Sequence, residues 1–208
     1  EITGSLPASL FEGNMQYLYI HDNDIVGPIP SNIGDAQYLQ QLSAFNNDLT
    51  GPLPLSLRNC SYLQTILVKN NRLTGHLNDV FTSSGDSIFT LLQAIDISQN
   101  RFSGVFPDAV FSLVNIRYIA ATGGCFHGAI PSSVCESSTL ETLVLEGLHS
   151  GRECRRPIWN PFALKPAYIS SSKGSTIPTC IWELPNLKTL HLTGNLLEGT
   201  IPQGSTIP

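Results

Sequence analysis

The sequence predicts an α/β solenoid in which about eight repeats, each of about 24 residues, stack through parallel β-strands. Six segments fit one pattern, L-x-x-L-x-L-x-x-N-x-L-x-G-x-I-P with substitutions, and they begin at Met15, Leu39, Leu63, Leu92, Ile116 and Leu187. The second apolar position of the pattern recurs at Leu18, Leu42, Ile66, Ile95, Ile119 and Leu143. The spacing is constant except for one longer step, from Ile66 to Ile95. A fixed period of this length indicates a repeat architecture.

Each repeat begins with a predicted strand. The L-x-L core alternates apolar and polar residues, which is the periodicity of a β-strand. The inward positions are Leu18, Ile20, Leu42, Ala44, Ile66 and Val68. One repeat cannot bury such a face alone, so the strands of successive repeats are expected to stack in parallel.

An asparagine follows the strand in five of the repeats. These residues are Asn23, Asn47, Asn71, Asn100 and Asn195. A side-chain amide offers two donors and an acceptor, so we predict a structural ladder bonded to backbone groups of its own and neighbouring repeats. Gly124, Leu148 and Ser172 replace the asparagine in three successive units, and we expect local irregularity there.

The Gly-x-Ile-Pro element closes the pattern. Glycine permits a positive φ, and proline prevents a helix from running through the point. This element after the asparagine resembles the signature of plant-type leucine-rich repeats, and the resemblance covers nearly the whole chain. It implies a horseshoe or superhelix with a concave parallel sheet and a convex side of 3-10 or irregular segments. The class it points to is that of receptor-like proteins and receptor kinase ectodomains.

Residues 1–208 are predicted to form a single solenoid, an inner piece without terminal caps. The longer step from Ile66 to Ile95 predicts a loop insertion near 82–87. The interval from Leu143 to Leu190 is close to two repeat lengths, so it is interpreted as two degenerate repeats within 140–178, with the second around Ala167 and Ile169 and with no inserted domain. The chain contains no apolar run near the ~20 residues of a membrane helix, so membrane attachment is expected only through segments outside this chain.

The resemblance implies that the concave sheet is the recognition surface. Its N-terminal half is predicted to gather Tyr17, Tyr19, His21, Phe45 and Leu67, with Lys69 nearly the only cation. Exposed aromatic residues that form a patch often mark an interface, so we predict a protein or peptide partner bound by these six residues. The net charge of −5 and the lack of a Lys/Arg cluster argue against nucleic-acid binding.

The sequence carries none of the common catalytic or phosphate-binding motifs, and no cysteine–histidine spacing completes a zinc site. We therefore predict a protein that is not an enzyme and that uses no cofactor or metal. The sequon Asn59-Cys60-Ser61 predicts a glycan at Asn59. Of five cysteines, Cys125, Cys135, Cys154 and Cys180 cluster in neighbouring units; they can form disulfides whose pairing the sequence leaves open.

Three functional readings remain open. The first is an extracellular or cell-surface recognition module, part of a receptor-like ectodomain made in the secretory pathway. The second is a structural scaffold subunit of a larger assembly, which a large permanent interface along one flank would favour. The third is a secreted protein similar to polygalacturonase inhibitors, which a shorter, fully capped parent of about ten repeats would favour.

Overall fold

The computed structural model describes residues 1–82, 89–147, 175–195, 197–198 and 200–201. The strands are β1 (Thr3–Ser5), β2 (Tyr17–Tyr19), β3 (Asp24–Pro28), β4 (Gln41–Ser43), β5 (Asp48–Gly51), β6 (Thr65–Leu67), β7 (Arg72–Leu73), β8 (Ala94–Asp96), β9 (Ser103–Val105), β10 (Tyr118–Thr122), β11 (Cys125–His127), β12 (Thr142–Glu146), β13 (Ser175–Thr176), β14 (Thr189–His191) and β15 (Leu197–Glu198). The 3-10 helices are Ala8–Phe11, Ile33–Asp35, Leu55–Asn59, Leu77–Asp79, Ser132–Glu136 and Thr179–Glu183, and one short α-helix, α1, spans Asp108–Phe111.

The main sheet contains seven parallel strands in the order β2-β4-β6-β8-β10-β12-β14. Its register aligns Leu18, Leu42, Ile66, Ile95, Ile119, Leu143 and Leu190. The predicted parallel sheet of stacked repeats is therefore confirmed, and the predicted second apolar position is the residue that sets its register.

A second row of short strands follows the turn of each repeat. It comprises a four-stranded sheet, β1-β3-β5-β7, and two pairs, β9 with β11 and β13 with β15. Gly27 lies within β3 at φ +82°, a conformation that favours glycine. The 3-10 helices and α1 come next in the chain, and five of these seven begin directly after a proline.

The core fills the space between the two rows of strands and the short helices. Ile66 and Val68 alternate with outward residues along the chain and have no exposed surface. Larger rings, among them Phe102, Phe111 and Phe126, fill the side away from the main sheet. Burying one such side chain contributes about 1.5–3 kcal/mol, which is why stacking stabilises repeats that could not fold alone.

The prediction of a degenerate repeat between Leu143 and Leu190 is wrong. Strand β12 pairs directly with β14, and Leu143 lies opposite Leu190, so no other strand of the main sheet lies between these two. Ala167 itself lies outside the described residues. The next Gly-x-Ile-Pro element, which contains β13, pairs with β15 in the second row.

One repeat is therefore lengthened between its two strands, by nearly the length of a whole repeat. Leu143 and Ile177 are much further apart in the chain than Ile119 and Ile130, the equivalent residues of the preceding repeat. The expectation that this unit contains no inserted domain stays a prediction. Residues 148–174, with Leu148, Cys154 and Ser172, lie outside the described residues, as does most of the loop predicted at 82–87. Within the described part of the chain, no helix is both long and apolar enough to span a bilayer.

Candidate ligand-binding face

The solvent side of the seven-stranded sheet, termed here the sheet face, carries the residues that alternate with the core. In β2, Tyr17 and Tyr19 point outward because Leu18 between them is buried. Most of the remaining outward positions in the column that begins at Tyr17 are small or polar, with Tyr118 the exception: Gln41, Thr65, Ala94, Tyr118, Thr142 and Thr189.

Four rings form a continuous row at the N-terminal end of the sheet face, termed here the aromatic ridge: Tyr17, Tyr19, His21 and Phe45. The ring centroids of Tyr17 and Tyr19 are 6.2 Å apart, and those of Tyr19 and His21 are 6.4 Å apart. His21 stacks on Phe45 at 4.4 Å with an interplanar angle of 12°. Tyr17 is 48% exposed and Tyr19 56%, so the ridge presents aromatic surface to solvent.

Hydrogen bonds across strands hold the ridge in place. The Tyr17 hydroxyl donates to Gln40 Oε1 at 3.0 Å, and the Tyr19 hydroxyl donates to Gln41 Oε1 at 2.6 Å. The Ser43 hydroxyl lies 3.1 Å from His21 Nδ1. A surface whose rings are already ordered loses less conformational entropy when it binds a ligand.

Leu67 and Lys69 belong to the next repeat. Leu67 lies opposite Ser43 in the sheet register and is half-buried. Lys69 is exposed in the turn that follows, and its carbonyl accepts the Asn46 backbone N–H at 2.9 Å. The structure thus brings the four ring residues into contact and places Leu67 and Lys69 one strand beyond them.

Buried asparagines join consecutive repeats behind the turn. Asn71 Nδ2 donates to the carbonyls of Val68 and Lys69 in its own repeat and to that of Ala44 in the preceding one, at 2.9–3.3 Å. Its Oδ1 accepts the backbone N–H of Leu49 at 2.9 Å. Related bonds are made by Asn23, Asn47, Asn100 and Asn195. These amides fix the turns from which the sheet-face residues project.

A second ladder, which the sequence analysis missed, runs along the rim beside the first. Asn46 Nδ2 donates to Asp22 Oδ1 at 2.6 Å, and Asn70 Nδ2 donates to Asn46 Oδ1 at 3.0 Å. All three residues have positive φ, between 53° and 57°. Asn and Asp tolerate this conformation better than most residues, so their recurrence just before the consensus asparagine was the available signal.

The C-terminal half of the sheet face is acidic and hydroxyl-rich. Glu146 Oε1 accepts the Thr193 hydroxyl at 2.8 Å and lies 3.2 Å from His191 Nδ1. Burial raises the pKa of Tyr118, and the nearby Asp96 carboxylate raises it further. The carboxylates of this half are thus hydrogen-bonded or paired within the sheet face.

Ion pairs line the edge at which the strands begin. Glu141 accepts Lys188 Nζ at 2.7 Å and Arg117 Nη1 at 3.0 Å. The hydrogen bond and positive charge of Lys188, followed by those of Arg117, lower the pKa of the Glu141 carboxyl. In the earlier repeats the same column holds Gln16, Gln40 and Gln64, whose amides bond weakly to each other at 3.4–3.5 Å.

Three cysteines of the predicted cluster are oxidised. Cys135 is joined to Cys180 with their Cα atoms 5.5 Å apart, and Cys125 is also disulfide-bonded. Cys60 is a free, buried thiol, and burial raises its pKa to about 11. The neighbouring Asn59 ends a 3-10 helix and is exposed, as is Ser61. Among the described side chains, no group of three His, Cys, Asp or Glu residues could hold a metal ion.

Comparison with protein families identifies leucine-rich repeats in four segments, residues 14–36, 38–60, 91–113 and 186–205. No match was found among curated proteins. The fold, however, matches solved structures of plant receptor kinases.

The Arabidopsis receptor kinase HAESA, solved with the peptide hormone IDA and the co-receptor SERK1, is 22% identical with a TM-score of 0.73. PEPR1, in its PEPR1–AtPEP1 structure, is 27% identical with a TM-score of 0.70, and a TDR receptor is 25% identical with a TM-score of 0.68. The matches cover 98%, 92% and 91% of this chain but only 30%, 23% and 32% of those chains.

Proposed function

We propose that this chain, which is built from leucine-rich repeats and has the fold of plant receptor kinase ectodomains, is a non-catalytic recognition module. It binds a protein or peptide through the sheet face, with Tyr17, Tyr19, His21, Phe45, Leu67 and Lys69 as the contact residues. The observation that carries the proposal is the aromatic ridge, four contiguous rings whose two tyrosines are about half exposed.

The chemistry of the ridge supports a macromolecular partner. Tyrosine supplies a large contact area at low conformational cost and is enriched at interface hot spots. The ridge tyrosines keep their hydroxyls bonded to Gln40 and Gln41, so a partner meets rings that do not need to be ordered. HAESA, whose fold this chain shares, was solved with a bound peptide hormone, so this fold can accommodate a peptide ligand.

The proposed compartment is the cell surface or extracellular space. Disulfides at Cys125, Cys135 and Cys180 form and persist in oxidising compartments. The exposed Asn59 sequon is proposed to carry a glycan, directed away from the sheet face because the residue ends a 3-10 helix. In this account the chain is part of a receptor-like ectodomain.

A second candidate function rests on another pair of rings. Tyr38 and Tyr62 lie 5.8 Å apart, 49% and 48% exposed, in the segments that lead from the 3-10 helices into β4 and β6. A permanent partner covering this flank would make the chain a scaffold subunit. The two tyrosine pairs are matched in residue type and exposure, so a partner-capture experiment with variants of each pair separates the two candidate functions.

The test is partner capture by the 208-residue chain from the secreted fraction of its source, with two double variants compared. Tyr17→Ser with Tyr19→Ser is expected to abolish capture, whereas Tyr38→Ser with Tyr62→Ser leaves it unchanged. Both variants should have the melting temperature of the wild type, since all four rings are exposed. Loss of capture only in the Tyr38/Tyr62 variant would support the scaffold function and contradict the recognition module.

A further inference from the structure

The N-terminal repeats carry charge of a single sign. Six carboxylate side chains, Glu1, Glu12, Asp22, Asp24, Asp35 and Asp48, precede the first Lys or Arg of the chain, Arg58. All 11 lysines and arginines therefore follow residue 57. The aromatic ridge lies within this acidic part, which favours a partner of positive charge.

Two of the carboxylates follow the ridge residue His21 in the chain within three positions. Asp22 follows His21 directly, and Asp24 begins β3 two residues later; both are exposed. Asp22 Oδ1 accepts the Asn46 amide at 2.6 Å, a neutral donor that leaves the charge in place. Neither carboxylate forms a salt bridge with another residue of the described part of the chain.

Three of the other four acidic residues are placed differently. Asp48 is paired with Arg72 at 2.8 Å. Asp35 lies in the 3-10 helix Ile33–Asp35, and Glu12 directly follows the 3-10 helix Ala8–Phe11. Asp22 and Asp24 are thus the carboxylates that follow the ridge residue His21 in the chain and that form no salt bridge within the described residues.

Electron-rich ring faces and unpaired carboxylates select the same ligand group. A guanidinium or ammonium ion is attracted to the face of a tyrosine ring, and a carboxylate beside the ring adds direct charge attraction. Arginine does both, because its planar fork stacks on a ring and bonds a carboxylate. Lys69, one strand beyond Phe45, is the first cation on the sheet face and bounds this region.

We propose that the aromatic ridge is a binding site for the arginine side chains of a basic peptide segment. The guanidinium groups stack on Tyr17 and Tyr19, and Asp22 and Asp24 pair with their charge. This inference rests on the proposed function and specifies the ligand chemistry at the same surface.

The probe is fluorescein-labelled tetra-arginine, measured by anisotropy against the 208-residue chain at about 0.1 M ionic strength, where the Debye length is about 10 Å. Tetra-citrulline serves as the uncharged isostere. The wild type should bind tetra-arginine more tightly than tetra-citrulline. Replacing both Tyr17 and Tyr19 by Leu should weaken binding about three- to tenfold, whereas replacing both by Phe preserves it, because Phe keeps the ring face.

A matched pair of charge variants tests which carboxylates contribute to tetra-arginine binding. Asp22→Asn with Asp24→Asn is expected to weaken tetra-arginine binding about threefold or more. Glu12→Gln with Asp35→Asn removes the same charge elsewhere and should have a smaller effect, since salt and distance screen charges more than about 10 Å away. Thermal melting confirms that each variant is folded.

Two results would overturn the inference: equal weakening by both charge variants, or equal binding by the Leu and Phe variants. If either result is found and the Tyr17/Tyr19 serine variant still loses partner capture, the arginine site is rejected. The proposed recognition function is then retained, with a ligand of different chemistry. Discrimination of tetra-arginine with unchanged partner capture would retain the arginine site and reject the proposed function.

Discussion

The repeats before residue 82 and those after residue 118 are held together by different means. In the first group, Asn47 and Asn71 each bond three carbonyls and one backbone N–H, and they join consecutive repeats at every step. In the second, Gly124 stands at the asparagine position. There a disulfide joins Cys135 to Cys180, and Glu141 links Arg117 to Lys188.

This difference shows how a solenoid tolerates an insertion. Contacts in a repeat stack are made only between neighbours, so an interrupted ladder weakens one interface and leaves the others intact. The Cys135–Cys180 bridge joins the 3-10 helices on either side of the lengthened repeat. Covalent and ionic links thus supplement the amide ladder where the sequence departs from its period, while Asn195 continues that ladder by donating to the Leu145 carbonyl.

Breaking the disulfide has the largest expected effect. Cys135→Ser with Cys180→Ser releases a loop closed over a sequence separation of 45 residues, which costs about 4 kcal/mol of stability in the chain-entropy model. The loss should be confined to residues 118–201, because contacts run only between neighbouring repeats. Hydrogen exchange followed by mass spectrometry checks this; equal loss of protection in β2–β6 would contradict the local account.

Removing one ladder amide has the next largest effect. Asn71→Ala leaves the buried Leu49 N–H without its acceptor and removes one of the two amide donors to the Ala44 carbonyl, so it is expected to cost about 2–3 kcal/mol. Asn115→Ala is the matched control, since Asn115 is exposed and bonds only the Thr90 carbonyl, and should cost less than about 1 kcal/mol. Urea unfolding compares them; equal costs would show that the ladder does not hold the N-terminal repeats together.

The ion pairs of the C-terminal repeats should give the smallest effect. The pKa of Glu141 is lowered in the folded chain, so its stabilisation is present above the unfolded pKa and is lost as the pH falls through the folded value. The wild type should therefore lose slightly more stability in acid than Glu141→Gln. Unfolding free energies measured across the acid range test this, and parallel curves for the two proteins would reject it.

The sequence predicted the parts of the fold that repeat. Leu18, Leu42 and Ile66 recur at the repeat period, so the spacing of these apolar residues predicted both the strands and the register in which they pair. The interval from Leu143 to Leu190 was misinterpreted because it divides almost equally into two repeats. Only strand pairing shows that Leu143 and Leu190 are neighbours.

The candidate site was predictable in part for the same reason. Column positions placed Tyr17, Tyr19 and Phe45 on one face, but the His21–Phe45 stack and the tyrosine hydrogen bonds depend on side-chain rotamers. The rim ladder from Asp22 to Asn70 depends on positive φ values that polar residues at turns only suggest. Disulfide pairing likewise required the three-dimensional neighbours of each cysteine.

The central claim is that partners bind the aromatic ridge on the sheet face. Hydrogen exchange of the 208-residue chain, with and without its captured partner, tests it most directly. The account predicts new protection in Tyr17–Tyr19, Gln41–Ser43 and Thr65–Leu67 and in the turns that follow these strands. Protection confined to the 3-10 helices Ile33–Asp35 and Leu55–Asn59 and the adjoining Tyr38 and Tyr62 would contradict it.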